Sequence, residues 1–242
     1  MNNDNTNKGT LFVVPTPIGN LEDITLRAVR IFQDVDTIVC EDTRQTVKLL
    51  SHLKISKPLI SFYTQNQLKR IPQIISMLET GKNIALVSDC GTPAISDPGY
   101  YLIKEAISKN IMVVPLPGAC ALITALVGSG LTTDSFVFLG FLKKKTGKMK
   151  KELEQAKLVQ KTIVFYESPH RILKTLEICK EVFGEQTNIV LARELTKKFE
   201  EFIRGTIKEV LEEMSNRDIL GEFIILLEPM IDSIDEDISS QI

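Results

Sequence analysis

The chain has 242 residues, 43% of them hydrophobic and 25% charged, with a formal net charge of −2. This balance excludes a disordered, collagen-like or broadly cationic chain and leaves a globular protein with room for one large or two smaller cores. No long window is uniformly apolar and residues 1–8 are polar, so neither a membrane-spanning helix nor a signal peptide is expected.

The cysteines, Cys40, Cys90, Cys120 and Cys179, form no CxxC pair, and the histidines, His52 and His170, lie far apart in sequence. That usage fits a reduced, cytoplasmic protein with no disulfide framework and no metal site.

In chain order, residues 1–9 are expected to be a disordered tail. A strand at 11–14, a helix at 25–34, a strand at 37–40, a helix at 43–53 and a strand at 59–62 follow. Leu68, Ile71, Ile74, Ile75 and Leu78 then mark an amphipathic helix closed by Gly81. Strands at 84–88 and 111–114 flank a helix at 100–109. Five strands alternating with helices predict a parallel or mostly parallel sheet. Pro115-Leu-Pro-Gly118 breaks this rhythm, and a small-residue helix at 119–127 opens a second half. Strands are expected there at 135–139, 162–166, 188–191, 199–203 and 222–227, with helices near 147–159, 170–182 and 206–214. The last two strands are expected to pair antiparallel. The fold class is therefore α/β in two α/β domains, 10–117 and 118–230, followed by an acidic tail, 231–242, expected to be disordered.

Several strand ends carry unusual chemistry. The 88–99 segment packs two Gly, two Pro and two Asp into twelve residues after a buried strand. Open α/β sheets place ligands at such loops, although an ordinary strand-to-helix connection would use the same residues. Pro15-Thr-Pro-Ile-Gly19 makes a rigid turn ahead of the capping residue Thr25. It is not a dinucleotide fingerprint, and no G-x-x-x-x-G-K-[ST] loop occurs anywhere. Cys40-Glu-Asp-Thr-Arg44 puts acids at a strand end, where they also suit a helix N-terminus. Phe165-Tyr-Glu-Ser-Pro-His-Arg171 combines aromatic, acidic and basic side chains, with Ser168-Pro169 read as a helix start. Ala192-Arg-Glu-Leu-Thr-Lys197 ends another strand. The 143–151 segment holds six lysines and no acid: a solvated helix start or a phosphate-binding patch.

Together these segments resemble the ribosomal RNA small subunit methyltransferase I family, a branch of the tetrapyrrole methylase superfamily. The matching residues include 14–25, 41–44, 85–89, Gly91-Thr-Pro93, Asp97-Pro-Gly99, 114–118, 165–171 and 192–197, so the resemblance spans about 10–228. It implies two tetrapyrrole methylase-like domains with S-adenosyl-L-methionine in a cleft between them, and a homodimer. It also implies 2′-O-methylation of a cytidine in the decoding region of 16S rRNA, in the small ribosomal subunit. Carried over, the cofactor residues are Pro17, Ser88, Asp89, Gly91, Ile95, Asp97, Pro117, Gly118, Ala121, Tyr166, Ala192 and Leu195.

A ribose hydroxyl is a weak acid, so a carboxylate that takes its proton would help. Asp89, Glu167 and Glu194 are the catalytic candidates, with Glu22 and Asp42 also weighed. Arg44, Arg171 and Lys197 are candidates for RNA phosphate contacts, as are Lys143, Lys144, Lys145 and Lys148 of the lysine patch; Asn66 joins them through the family pattern. The chain departs from that pattern at Tyr63-Thr-Gln-Asn-Gln67, where relatives have a His-acid-His-Asn-acid run and only Asn66 survives. It also ends without the short extra segment some members carry, which bears on RNA affinity. Two rival readings are a tetrapyrrole methyltransferase, disfavoured because Pro15-Thr-Pro-Ile-Gly19 replaces the usual G-x-G-P-G-D loop, and an RNA-binding assembly factor that has lost catalysis.

Overall fold

The computed structural model describes residues 8–229, and the chain divides into two compact units between Cys120 and Ala121. The expected tail at 231–242 and residues 1–7 lie outside the described residues. Gly9, assigned to the tail from sequence, is instead buried and donates its amide to the Leu78 carbonyl at 2.8 Å.

The first unit runs β1 (Thr10–Val13), α1 (Leu26–Asp34), β2 (Thr37–Cys40), α2 (Thr43–His52), β3 (Leu59–Ser61), α3 (Gln67–Glu79), β4 (Ile84–Val87), α4 (Tyr100–Ser108) and β5 (Met112–Pro115). Its strands are all parallel, in the order β3-β2-β4-β1-β5. Side chains alternate between the two faces of a strand, so Ile38, Cys40, Ala85 and Val87 pack with Ala28, Ile31 and Phe32 of α1. Val39, Ile84 and Leu86 face the other way, against Ile74, Ile75 and Leu78 of α3 and Leu102 of α4. Both faces are covered, which is why these strands read as unbroken apolar runs. The helix ends follow local chemistry. Thr25 accepts the Ala28 amide at 3.0 Å as the cap of α1. Gly81, at φ 89°, lies one residue past the Thr80 C-cap of α3.

The strand order fixes where a ligand would lie. From β1 the chain crosses over β4 to reach β2, and from β4 it crosses over β1 to reach β5. The loops after these two neighbouring strands therefore leave in opposite directions, opening a crevice at their carboxyl ends.

The second unit comprises α5 (Ala121–Ser129), β6 (Phe136–Phe141), α6 (Thr146–Lys157), β7 (Thr162–Glu167), α7 (Ile172–Phe183), β8 (Asn188–Arg193), β9 (Glu201–Thr206), α8 (Ile207–Ser215) and β10 (Phe223–Glu228). Its sheet is mixed, ordered β6-β7-β10-β8-β9. Only β6 and β7 are parallel; β10 runs antiparallel to both β7 and β8, and β9 antiparallel to β8. The expected pairing of the last two strands with each other is thus corrected. Apolar β10 takes the central slot between β7 and β8, where both its edges are bonded, and β9 is left at the rim. One face of the sheet, with Ile163, Phe165, Leu191 and Ile225, packs under Leu153 of α6, Leu176 of α7 and Val210 of α8. A capping box closes the start of α8, with Thr206 Oγ1 accepting the Glu209 amide and Glu209 Oε2 accepting the Thr206 amide.

Candidate active site

In the first unit the loops after β1 and β4 are tied together. Thr16 and Gly91 exchange both backbone hydrogen bonds at 2.9 Å in an isolated antiparallel bridge. Thr16 Oγ1 also donates to the Ser88 carbonyl at 3.2 Å, and Ser88 Oγ to the Cys90 carbonyl at 3.2 Å. Gly91 holds φ 78°, a left-handed conformation that favours glycine. Ala94 and Ser96 hold φ 69° and 63° in the same loop. Non-glycine residues in that region each cost about 1 kcal/mol, and such strain concentrates at functional loops. The loop after β5 comes close as well: Thr92 Oγ1 donates to the Ala119 carbonyl at 3.0 Å, and a Cβ on Gly118 would sit 2.7 Å from Pro15 Cβ. Pro17 is half-buried beside this bridge, while Ile95, Pro117 and Gly118 are exposed.

Carboxylates collect at the same strand ends. Because β2 pairs with β4, with Cys40 opposite Val87, Glu41 and Asp42 come beside Asp89. Asp89 is exposed, and its Oδ1 accepts the Asp42 amide at 2.9 Å. No protein donor reaches its other oxygen among the described residues. Partial desolvation at the strand end raises the Asp89 pKa although the residue is largely exposed; the Asp42 amide opposes this, the Asp42 charge adds to it and the Arg44 charge opposes it. Glu41 is pushed up to about 7, chiefly by burial and then by the charges of Asp97, Asp89 and Asp42. Asp97 is raised to about 6 by burial, with the neighbouring Ser88 hydroxyl pulling the other way and the Asp89 charge adding to the rise. Asp42 is lowered to about 2 by hydrogen bonds from Arg44, whose guanidinium pairs with it at 2.6 Å. Glu41 escapes a reading of the sequence alone, which gives it no role. Its significance depends on β2 and β4 being neighbours, a non-local fact.

Other expected RNA contacts of this unit have local tasks. Arg44 is exposed but folded back on Asp42. Asn66 shapes its own turn, accepting the Tyr63 amide at 2.8 Å and donating to the Ser61 carbonyl at 3.1 Å. Glu22 lies in a 3₁₀ turn, Leu21–Asp23, and is exposed.

In the second unit, Glu167 has a fully buried side chain. Its Oε1 accepts the Ser168 amide at 2.7 Å and its Oε2 accepts Thr175 Oγ1 at 2.6 Å and pairs with Arg171 at 3.2 Å. Arg171 also donates to the Leu142 carbonyl at 3.2 Å. The expected Ser-Pro helix start is corrected here: α7 begins at Ile172 with Arg171 at its N-cap, because Ser168 to Arg171 close a turn of their own. Ala121 is the first residue of α5, Ala192 and Leu195 are buried near the end of β8, and Tyr166 stacks edge-on against Phe138, ring centroids 5.1 Å apart. Glu194 holds φ 50° and accepts from Lys197 Nζ and the Glu222 amide, each at 3.0 Å. Burial raises its pKa, but these hydrogen bonds and the Lys197 and Arg193 charges outweigh that and leave it lowered. Lys197 bridges Glu194 and Glu222. Lys143, Lys144, Lys145 and Lys148 are exposed and form no ion pair among the described residues, where no metal-binding group of three or more side chains occurs either.

Two linked α/β units, the first with strained strand-end loops and raised carboxylates, define a class, and comparison with known proteins agrees on the fold. The family model for Tetrapyrrole (Corrin/Porphyrin) Methylases matches residues 10–211. Among solved structures the fold resembles uroporphyrin-III C-methyltransferase from Thermus thermophilus complexed with S-adenosyl homocysteine, at 16% identity, TM-score 0.64, and coverage of 90% of this chain and 97% of that one. It also resembles diphthine synthase, at 11% identity, TM-score 0.69, and coverage of 91% and 90%. Closer in sequence are two proteins called ribosomal RNA small subunit methyltransferase I. The Bacillus subtilis protein is 49% identical over 93% of this chain and 77% of its own length. The Halalkalibacterium halodurans protein is 48% identical over 91% and 76%. The chain belongs to the ribosomal RNA small subunit methyltransferase I family, within the tetrapyrrole methylases.

Proposed function

We propose that this chain methylates ribosomal RNA of the small subunit, passing a methyl group from S-adenosyl-L-methionine to the 2′-oxygen of a cytidine in the decoding region of 16S rRNA. Identity of 48–49% over nine-tenths of the chain to relatives of that name carries the reading. Solved structures of other methylases support the fold only.

The residues present suit this cofactor. Bound, it supplies an electrophilic methyl on a sulfonium cation. Asp89, Asp97 and Glu41 offer negative charge at the β2 and β4 ends, and ionised carboxylates attract a cation strongly where water is partly excluded. Gly91 and Gly118, without Cβ, leave backbone groups approachable, Pro17, Ser88, Ile95 and Pro117 complete the first unit's share, and Ala121 at the start of α5 opens the second unit's. Tyr166, Ala192 and Leu195 contribute from the second unit.

Asp89 is the proposed base: its outer oxygen receives the proton that the ribose hydroxyl gives up as its oxygen gains the methyl. Glu167, already engaged by Ser168, Thr175 and Arg171, holds the β7–α7 turn instead, and Glu194 does the same for its own loop through Lys197. Lys143, Lys144, Lys145 and Lys148 hold RNA phosphates. The working form is a cytoplasmic homodimer, which sedimentation of the purified protein tests. Mapping 2′-O-methyl groups on rRNA from cells with and without the gene tests the reaction. One decoding-region cytidine should lose its methyl in the deletion, and an unchanged map would end this reading.

A further inference from the structure

Beside the lysine patch, wholly within the second unit, lies a depression of about 510 Å³ to which the reaction above assigns no ligand beyond the phosphates on Lys143 and Lys144. Its lining includes Phe141, Lys143, Lys144, Glu167, His170 and Arg171. Phe141 is 56% exposed, yet its ring is braced against Tyr166 at 5.3 Å, and Tyr166 in turn against Phe138. A large apolar ring left open to solvent but held from behind is a stacking platform whose ordering has already occurred. The acid in the lining, Glu167, is buried beneath Arg171 and the Ser168 and Thr175 donors, so its charge is compensated. The rim is left with Lys143, Lys144 and His170, all exposed. The volume falls within the range of small-molecule pockets.

We infer that this pocket receives one unpaired RNA nucleotide, its base stacked on Phe141 and its phosphate held by Lys143, Lys144 and His170. An aromatic face beside flexible cations is the combination by which proteins hold single-stranded nucleic acid without reading its sequence. Duplex RNA cannot use it, because its bases are stacked on one another and show only their edges. The inference rests on the RNA reading above and adds that the substrate is gripped as an unpaired strand.

The test uses the full chain and a fluorescein-labelled single-stranded oligoribonucleotide, followed by fluorescence anisotropy at several salt concentrations, with the same strand annealed to its complement as a second probe. Phe141→Leu should weaken single-strand binding roughly tenfold, leave its salt dependence intact and leave duplex binding unchanged. Phe141→Tyr should restore the affinity. The Lys143→Ala, Lys144→Ala double variant, at exposed positions that folding does not need, should lower the log–log salt slope by roughly 0.7 per lysine. If the wild-type chain binds the single strand and all three variants match it, the pocket is not a nucleotide site, while the RNA reading stands. If the wild-type chain shows the heat of S-adenosyl-L-methionine binding but binds neither RNA probe, the RNA reading fails and this inference with it.

Discussion

Asp89 stands two residues beyond β4 with one oxygen on the Asp42 amide and the other without a protein donor among the described residues. A carboxylate so placed keeps basic capacity that Glu167 and Glu194 have spent on their neighbours. Asp89→Asn should therefore reduce methyl transfer by a factor on the order of 10² to 10⁴, the usual contribution of a general base, while circular dichroism and melting stay near wild type. A folded Asp89→Asn protein with wild-type turnover would remove it from the mechanism. Glu41 gives a second prediction, in pH. Its carboxyl is raised from 4.5 to about 7 in the fold, so the folded chain holds this proton where the unfolded chain has released it. The associated stability is full below pH 4.5 and is lost as pH rises to about 7. Glu41→Gln should match wild type in urea unfolding near pH 4 and exceed it near pH 8. With partial solvent exposure discounted, the gain is on the order of 1 kcal/mol. Over the same interval the ionised cluster should favour the cationic cofactor over its uncharged demethylated product. Calorimetric affinities for the two ligands should diverge as pH rises, and Glu41→Gln should shrink that divergence.

Among the elements, the turn joining β7 to α7 carries the sharpest energetic claim. Its sequence, Glu167-Ser-Pro-His-Arg171, looks from composition like a catalytic or RNA-binding loop, and Ser168-Pro169 looks like a helix start. In the fold it is organised around a buried carboxylate that needs a counter-charge, and the residue four positions on supplies it. Removing one partner of a buried pair costs about 3–5 kcal/mol, because the other charge is left uncompensated. Arg171→Ala should destabilise the chain by about that much in urea unfolding, even with the Thr175 and Ser168 hydrogen bonds kept. A loss below about 0.5 kcal/mol, as for an exposed pair, would mean that Arg171 is not the counter-ion and is free for RNA.

Across the whole molecule, a chain of net charge −2 must hold a polyanion through a local concentration of cations. Of the expected RNA-binding cations, Arg44, Arg171 and Lys197 are each engaged with carboxylates, whereas the ammonium groups of Lys143, Lys144, Lys145 and Lys148 form no ion pair among the described residues. Replacing these four by Ala should weaken RNA binding and flatten its log–log salt slope by roughly 0.7 for each phosphate no longer neutralised, with unchanged calorimetric affinity for the cofactor and an unchanged modified nucleotide. Wild-type affinity and slope in the quadruple variant would place the RNA surface elsewhere.

What the sequence determined by itself is everything with a local or periodic cause. The runs at β2 and β4 are apolar because their strands are covered on both faces, Thr25 marks a helix start through its side-chain cap, and Gly81 a helix end through its freedom to hold a positive φ. The order of the motifs was enough to expose the family. Tertiary structure decided what depends on neighbours distant in the chain. It seated β10 between β7 and β8, since a central strand needs partners on both edges and the sequence does not say which. It brought Glu41 to Asp89 and Asp97 by pairing β2 with β4, and it turned Glu167 and Arg171 from apparent reagents into a buried ion pair. Charges act through space, so the role of an ionisable side chain is fixed by which other charges and how much water the fold places around it.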